Sequence, residues 1–225
     1  MIVRDGIYYA AALAAGGALS AWLAGVWLGA PLWLLAAFCL YFFRDPERAI
    51  PEGPVAVSPA DGEVVAVQPE GAGLRRISIF LNIFDVHVNR APIAGTIADV
   101  HYRQGRFHVA RREVCSDENE QNVVTVEGGG STVVFKQIAG LVARRIVFRK
   151  QPGDRVATGE RVGLIKFGSR VDVLLGSEWE IAVKRGQRVS AGASVIARRI
   201  DPPIERAIER PIDSRPFDQG GPHGA

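Results

Sequence analysis

Apolar and polar positions along this chain of 225 residues follow two different rhythms. From Gly6 to Phe43 no charged residue occurs, whereas beyond Pro51 short runs of β-type alternation are separated by turn residues. The first apolar run, about Ile7 to Leu28, is long enough to cross a hydrocarbon core of about 30 Å. Gly29-Ala30-Pro31 predicts a turn, and a shorter apolar run, Leu32 to Phe43, follows it. Trp22, Trp27, Trp33 and Tyr41 are spaced like interfacial aromatics. Arg4 precedes the pair of runs and Arg44 and Arg48 follow it, so the positive-inside rule places both flanks in the cytoplasm. The pattern predicts a hydrophobic helical hairpin, crossing the bilayer or dipping into one leaflet, that holds the protein at the cytoplasmic face of the cell membrane. A cleaved secretory signal is the competing reading, and the apolar run continues well past any cleavage site such a signal would use. Removal of residues 1–43 should then release the rest from membranes without touching its chemistry.

Residues 1–50 therefore form an anchor and linker, ending in Arg44-Asp45-Pro46-Glu47-Arg48 and Pro51-Glu52-Gly53-Pro54. Residues 51–200 read as a β-rich domain, with strands at Val55 to Val57, Gly62 to Val67, Leu74 to Leu81, Gly95 to Tyr102, Val123 to Val126 and Thr132 to Ile138. Glu127-Gly128-Gly129-Gly130-Ser131 predicts a hairpin loop, and Ala139 to Ile146 is the one weak helical stretch. An internal echo bears on the architecture. Gly153-Asp154-Arg155-Val156-Ala157-Thr158-Gly159 recurs as Gly186-Gln187-Arg188-Val189-Ser190-Ala191-Gly192, each followed three residues on by a valine. Two glycines six apart around a β-branched residue describe a tight turn feeding a short strand, and the device resembles the flattened, barrel-sandwich-like β domains of biotinyl and lipoyl carriers. No carrier lysine stands at a hairpin tip, so the likeness extends to architecture alone. Residues 201–225 are rich in Pro, Gly and charge and predict a disordered tail.

Hydrophobic content of 48% is ordinary, but so much of it lies at one end that the remainder reads as a charged, soluble body. Net charge of +3 suits an anionic lipid surface, and no aromatic-interleaved basic run supports nucleic-acid binding. Cys39 and Cys115 are too few for a zinc site or a disulfide framework, and no phosphate-cradling glycine motif occurs, so neither a metal nor a nucleotide is implied.

The chemistry concentrates in Val162 to Val173, a strand-like run broken by Gly168-Ser169. A glycine weakens a strand interior and marks a bulge or a close backbone approach. At a strained bend the Ser169 hydroxyl could attack the carbonyl carbon of Gly168 and turn the amide into an ester. A tolerated glycine in a strand is the bland alternative. Gly130-Ser131 lies in the hairpin loop, but Gly176-Ser177 also follows an apolar strand and carries a neighbouring acid, Glu178, so spacing alone leaves the choice open. His87, in the alternating run Phe84 to Val88, is the best acid–base candidate because imidazole titrates near neutral pH.

Four ordered motifs, Phe43-Arg44-Asp45-Pro46, Ser58-Pro59-Ala60-Asp61-Gly62, Asp85 to Pro92 and Phe167-Gly168-Ser169-Arg170, together resemble phosphatidylserine decarboxylase of the short bacterial and archaeal type over about residues 40 to 200. The resemblance implies a carboxy-lyase of phospholipid biosynthesis, made as a zymogen. It cleaves itself between Gly168 and Ser169 and turns Ser169 into a pyruvoyl group, the electron sink, through a Schiff base, for decarboxylation. Alignment of the preceding G-x-x-x-F stretch selects Ser169 over Ser177. The substrate implied is a membrane phospholipid, phosphatidylserine converted to phosphatidylethanolamine, with an ether lipid of the same head group as an alternative. The partners are the membrane surface and the chain's own large and small fragments; a homo-oligomer stays open. A non-catalytic membrane-tethered adaptor is the reading from a different class. By resemblance Asp61 helps to activate the serine and His87 serves in decarboxylation. Larger members of the family carry D-x-H-x-x-H-x-P, whereas this chain has Arg90 at the second histidine. Arg90 becomes a candidate for binding substrate carboxylate or phosphate, a role it shares with Arg103, Arg106, Arg144 and Arg145.

Overall fold

The computed structural model describes residues 2–111, 113–140, 145–166 and 168–200. The apolar N-terminal runs form two helices, α1 (Arg4–Ala24) and α2 (Val26–Phe42). The hairpin turns at Gly25, whose φ of 97° only glycine tolerates, and not at Gly29-Ala30-Pro31. Gly29 lies inside α2 because it is needed there for packing: a Cβ on it would fall 2.4 Å from the Gly17 carbonyl oxygen of α1. Pro31 is accommodated inside α2 near its start. At about 1.5 Å per residue α1 is about 31 Å long, enough to cross a bilayer core, while α2 is shorter. Trp22 and Trp27, beside the turn, are 81% and 86% exposed, which places the large apolar tip of the hairpin outside the protein core.

Among the described residues the body has fourteen strands: β1 (Val55–Val57), β2 (Gly62–Pro69), β3 (Arg75–Leu81), β4 (Val88–Arg90), β5 (Gly95–Arg103), β6 (Gln121–Gly128), β7 (Ser131–Ala139), β8 (Ile146–Phe148), β9 (Arg155–Val156), β10 (Arg161–Ile165), β11 (Ser169–Leu175), β12 (Trp179–Ile181), β13 (Arg188–Val189) and β14 (Val195–Arg199). A one-turn helix, Cys115–Glu118, precedes β6. The strands pair antiparallel into an eight-stranded sheet of order β13-β2-β3-β11-β7-β6-β5-β9 and two three-stranded sheets, β1-β14-β12 and β4-β10-β8. One hydrophobic core, including Ile77, Ile79, Phe135, Val171, Val173 and Ile196, lies between them. The six strands read from the sequence are all present; Val55–Val57 is unchanged, β3 starts one residue later than read, at Arg75, and the other four are extended by up to two residues at their ends. The weak helix at Ala139 to Ile146 is replaced by strand at both ends, Ala139 in β7 and Ile146 in β8; residues 141–144 lie outside the described residues, as does the tail from 201. Pairing with β11 and β10 overrides the local propensity there.

The repeated glycine turns account for the closure of the body. Gly153, Gly159, Gly186 and Gly192 all have positive φ. The Gly159 amide bonds to the Ala91 carbonyl at 2.9 Å, and its echo Gly192 bonds to the Ser58 carbonyl at 2.8 Å. Each turn thus staples the loop before a short strand to a distant segment, and Ile50 of the linker packs against both glycines.

Candidate active site

Strand β11 is the central element of the large sheet and is buried at every position from Ser169 to Leu175. Its first residue pairs with Leu81 on one side and Ala139 on the other, which fixes the Ser169 backbone on both edges. Gly168, just outside, has φ 59°, a left-handed conformation that disfavours any side chain. Its carbonyl oxygen approaches Gly140 so closely that a Cβ there would stand 2.1 Å away. The strand therefore enters through a bend, as the Gly-Ser break implies. The Ser169 hydroxyl is fully buried and has no hydrogen-bond partner among the described residues. An orphaned buried hydroxyl is destabilising by about 1–3 kcal/mol, so a residue that only packs here would not need to be serine.

His87, between β3 and β4, reaches this bend. The Gly168 N–H donates to His87 Nε2 at 3.3 Å, and Nδ1 lies 2.9 Å from the Asp85 carbonyl, to which it donates. These two contacts fix the tautomer, with the proton on Nδ1 and the Nε2 lone pair facing the scissile candidate. Burial pushes the imidazole down to about 4, outweighing the Asp85 carbonyl and carboxylate that favour its protonation. His87 is thus neutral at pH 7. The ring stacks on Phe42, the last residue of α2, with centroids 4.3 Å apart.

Asp61 and Arg90 are held by other partners. Asp61 accepts from Arg48 Nη2 and from the Ala191 amide, both at 2.7 Å; burial raises its carboxyl above the ordinary range against these two contacts. Arg90 is 5% exposed and donates to Asp45 Oδ1, the Pro46 carbonyl and the Gly159 carbonyl. Its guanidinium ties the linker after α2 to a glycine turn, which leaves little of the fork for a substrate. Of the other arginine candidates, Arg103, Arg106 and Arg145 are exposed and Arg144 lies outside the described residues; of the histidines, His101 is exposed and His108 pairs with Glu118 at 2.9 Å.

The competing pairs have unsuitable settings. Gly176 keeps an ordinary φ and Ser177 is exposed in the turn between β11 and β12. Ser131 is bonded to Glu178 and accepts from Trp179 Nε1 at 2.7 Å.

Two contacts were not legible in the sequence. Phe42 forms one wall of the site, and Lys166, three residues before Ser169, is 7% exposed and pairs with Asp5 of α1 at 2.9 Å. Lone charges at the edge of the apolar hairpin and just before the Gly168-Ser169 break were the available signal, but 161 positions separate them.

Together these features define a mainly β protein that carries an N-terminal apolar helical hairpin and has a serine placed inside its core directly after a left-handed glycine. The phosphatidylserine decarboxylase family model matches residues 35–197, and the chain belongs to that family. Similar proteins include the phosphatidylserine decarboxylase proenzyme of Solibacter usitatus, 72% identical over 200 residues that cover 89% of this chain and 98% of the relative. Those of Magnetococcus marinus, 48% identical over 74% of this chain and 80% of the relative, and Carboxydothermus hydrogenoformans, 44% identical over 88% and 96%, are similar too. Membership does not favour the adaptor reading.

Proposed function

We propose that this chain decarboxylates phosphatidylserine to phosphatidylethanolamine and carbon dioxide, using a pyruvoyl group made from its own Ser169. The observation that carries the site assignment is the buried, unpartnered Ser169 hydroxyl next to the left-handed Gly168, whose amide contacts neutral His87. Family membership, with relatives named as phosphatidylserine decarboxylase proenzymes, supports both the substrate and the self-cleavage.

In the first step the Ser169 Oγ attacks the Gly168 carbonyl carbon. The new C–O bond replaces the C–N bond, and the nitrogen leaves as the free amine of residue 169, giving an ester. Neutral His87 takes the hydroxyl proton in this reading: its Nε2, which accepts from the adjacent Gly168 N–H, exchanges that contact for the Ser169 hydroxyl as the attack begins. Loss of the Ser169 α-proton then expels the ester carboxylate of Gly168 and leaves dehydroalanine, and hydrolysis of its imine tautomer releases ammonia and leaves the ketoacyl group. That group supplies an electron sink for the breaking C–C bond. The pocket residues do the rest: Phe42 and the core exclude water around His87, and Asp61 with Arg48, and Arg90 with Asp45, position the loops on which the site is built. The hairpin keeps the body at the cytoplasmic face of the membrane, where the substrate resides.

The test is a denaturing gel with intact-mass measurement of the purified protein. The expected result is two chains, Met1 to Gly168 and a small one from 169 to Ala225 that is blocked to Edman sequencing and has the mass of a pyruvoyl terminus. Ser169→Ala should remain a single inactive chain of 24.3 kDa, while Ser177→Ala is processed normally. A wild-type protein that stays whole, or processing lost in Ser177→Ala and kept in Ser169→Ala, overturns the assignment.

A further inference from the structure

A cavity of about 430 Å³ opens where the base of the hairpin meets the body. Its walls are largely apolar, with Val3, Val88 and Leu164 among them, and three guanidinium groups, Arg4, Arg149 and Arg161, line it. The acids in reach are already engaged. Asp45 on the cavity wall is bound by Arg90 and by Arg161 Nε at 2.5 Å, Glu47 by Arg161 Nη2 at 2.9 Å, and Asp5 by Lys166 at 2.9 Å. Arg4 and Arg149 have no ion-pair partner among the described residues, and both are exposed. Arg149 feels Asp5 only as a longer-range charge.

We propose that this cavity binds the phosphodiester head of an anionic membrane phospholipid, as an accessory site separate from the Ser169 centre. The position selects the source of the phosphate. Arg4 is the first residue of α1, so the cavity lies at the level where the apolar helix begins and where lipid phosphates are concentrated. The lining selects it too: a guanidinium fork pairs with phosphate oxygens, while an apolar wall receives a glycerol backbone and the first methylenes, which inorganic phosphate lacks. Two cations without an acid partner among the described residues, facing a cavity beside an apolar helix, are open to pairing with an anion from outside the body. The site is independent of the proposed chemistry and would exist in an uncut chain.

Native mass spectrometry on the full-length protein in a neutral detergent tests this. The probes are phosphatidylglycerol, phosphatidylcholine and inorganic phosphate. Wild type should retain one phosphatidylglycerol in preference to phosphatidylcholine. Arg149→Glu should lower that retention about tenfold or more, Arg149→Lys should keep most of it, and Arg185→Glu, a charge reversal on an exposed remote position, should leave it unchanged. Equal retention by Arg149→Glu and wild type overturns the site, as does an equal loss in Arg185→Glu, which would indicate general charge attraction. Full displacement of the lipid by millimolar inorganic phosphate overturns the lipid assignment and leaves a bare anion site. Self-cleavage, read separately on a denaturing gel of the wild type, reports on the proposed function and not on this cavity.

Discussion

At the scale of single residues, the protonation state of His87 decides what the site can do. Its acceptance of the Gly168 N–H and its buried ring keep it neutral, with its pKa lowered to about 4 from an ordinary 6.5. The unfolded chain binds a proton here between those values and the folded chain does not, so stability is full above about pH 6.5 and is lost as pH falls toward 4. The loss approaches about 3 kcal/mol for a shift of this size. Thermal melts of the uncut Ser169→Ala protein should therefore drop between pH 6.5 and 4, and the drop should shrink when His87→Gln is added. The same lowered pKa makes a prediction for the wild type: the self-cleavage rate should be flat from pH 8 down to about 5. A break near 6.5 would mean that another group accepts the serine proton. Neither the tautomer nor the orphaned hydroxyl could be read from sequence, because both depend on groups 81 positions apart meeting at one bend.

At the scale of elements, the hairpin is more than a tether. Its composition alone carries no link to the chemistry, and on that basis truncation of residues 1–43 leaves self-cleavage intact. The contacts change that expectation. Phe42 and Phe43 are 1% and 2% exposed and pack on Leu164 of β10; Phe42 stacks on His87, and Lys166, just before Gly168-Ser169, pairs with Asp5 of α1. Arg44 closes the junction by donating to the Phe84 carbonyl at 2.7 Å. Truncating a buried phenylalanine to alanine destabilises by about 3–5 kcal/mol and admits water beside the imidazole. Phe42→Ala, with the rest of the hairpin in place, should slow self-cleavage at least tenfold in a gel time course at 25 °C, and removal of residues 1–43 should abolish it. Processing at the wild-type rate in the truncated protein would show that the hairpin is only an anchor. The position of the hairpin turn has a similar origin. Gly29-Ala30-Pro31 carries the stronger local turn signal, yet the close approach of Gly29 to Gly17 places it in the helix interface and leaves the turn to Gly25.

At the scale of the whole molecule, the two chains that the proposed cleavage at Gly168-Ser169 would leave share one sheet. Strand β11, with β12, β13 and β14, would belong to the small chain, while β2, β3 and β7, the neighbours of β13 and β11, belong to the large one. Breaking the bond at the entrance to β11 removes no ladder partner of that strand. The halves should co-elute in gel filtration without denaturant and separate only in urea or detergent denaturation; dissociation in native buffer would contradict this sheet arrangement. The sequence by itself determined what depends on local pattern: the two apolar helices, six strands from their period of two, the paired glycine turns, and a Gly-Ser break in an otherwise apolar strand. Family motifs then distinguished Gly168-Ser169 from Gly176-Ser177. Only the tertiary structure decided which side chains converge on that break. Asp61 and Arg90 turned toward Arg48 and Asp45, while Phe42, Lys166 and the Gly168 amide gathered around His87 and the hairpin base. The physical reason is that hydrogen bonds and ion pairs between residues far apart in sequence are set by sheet register and helix docking, which no local spacing records.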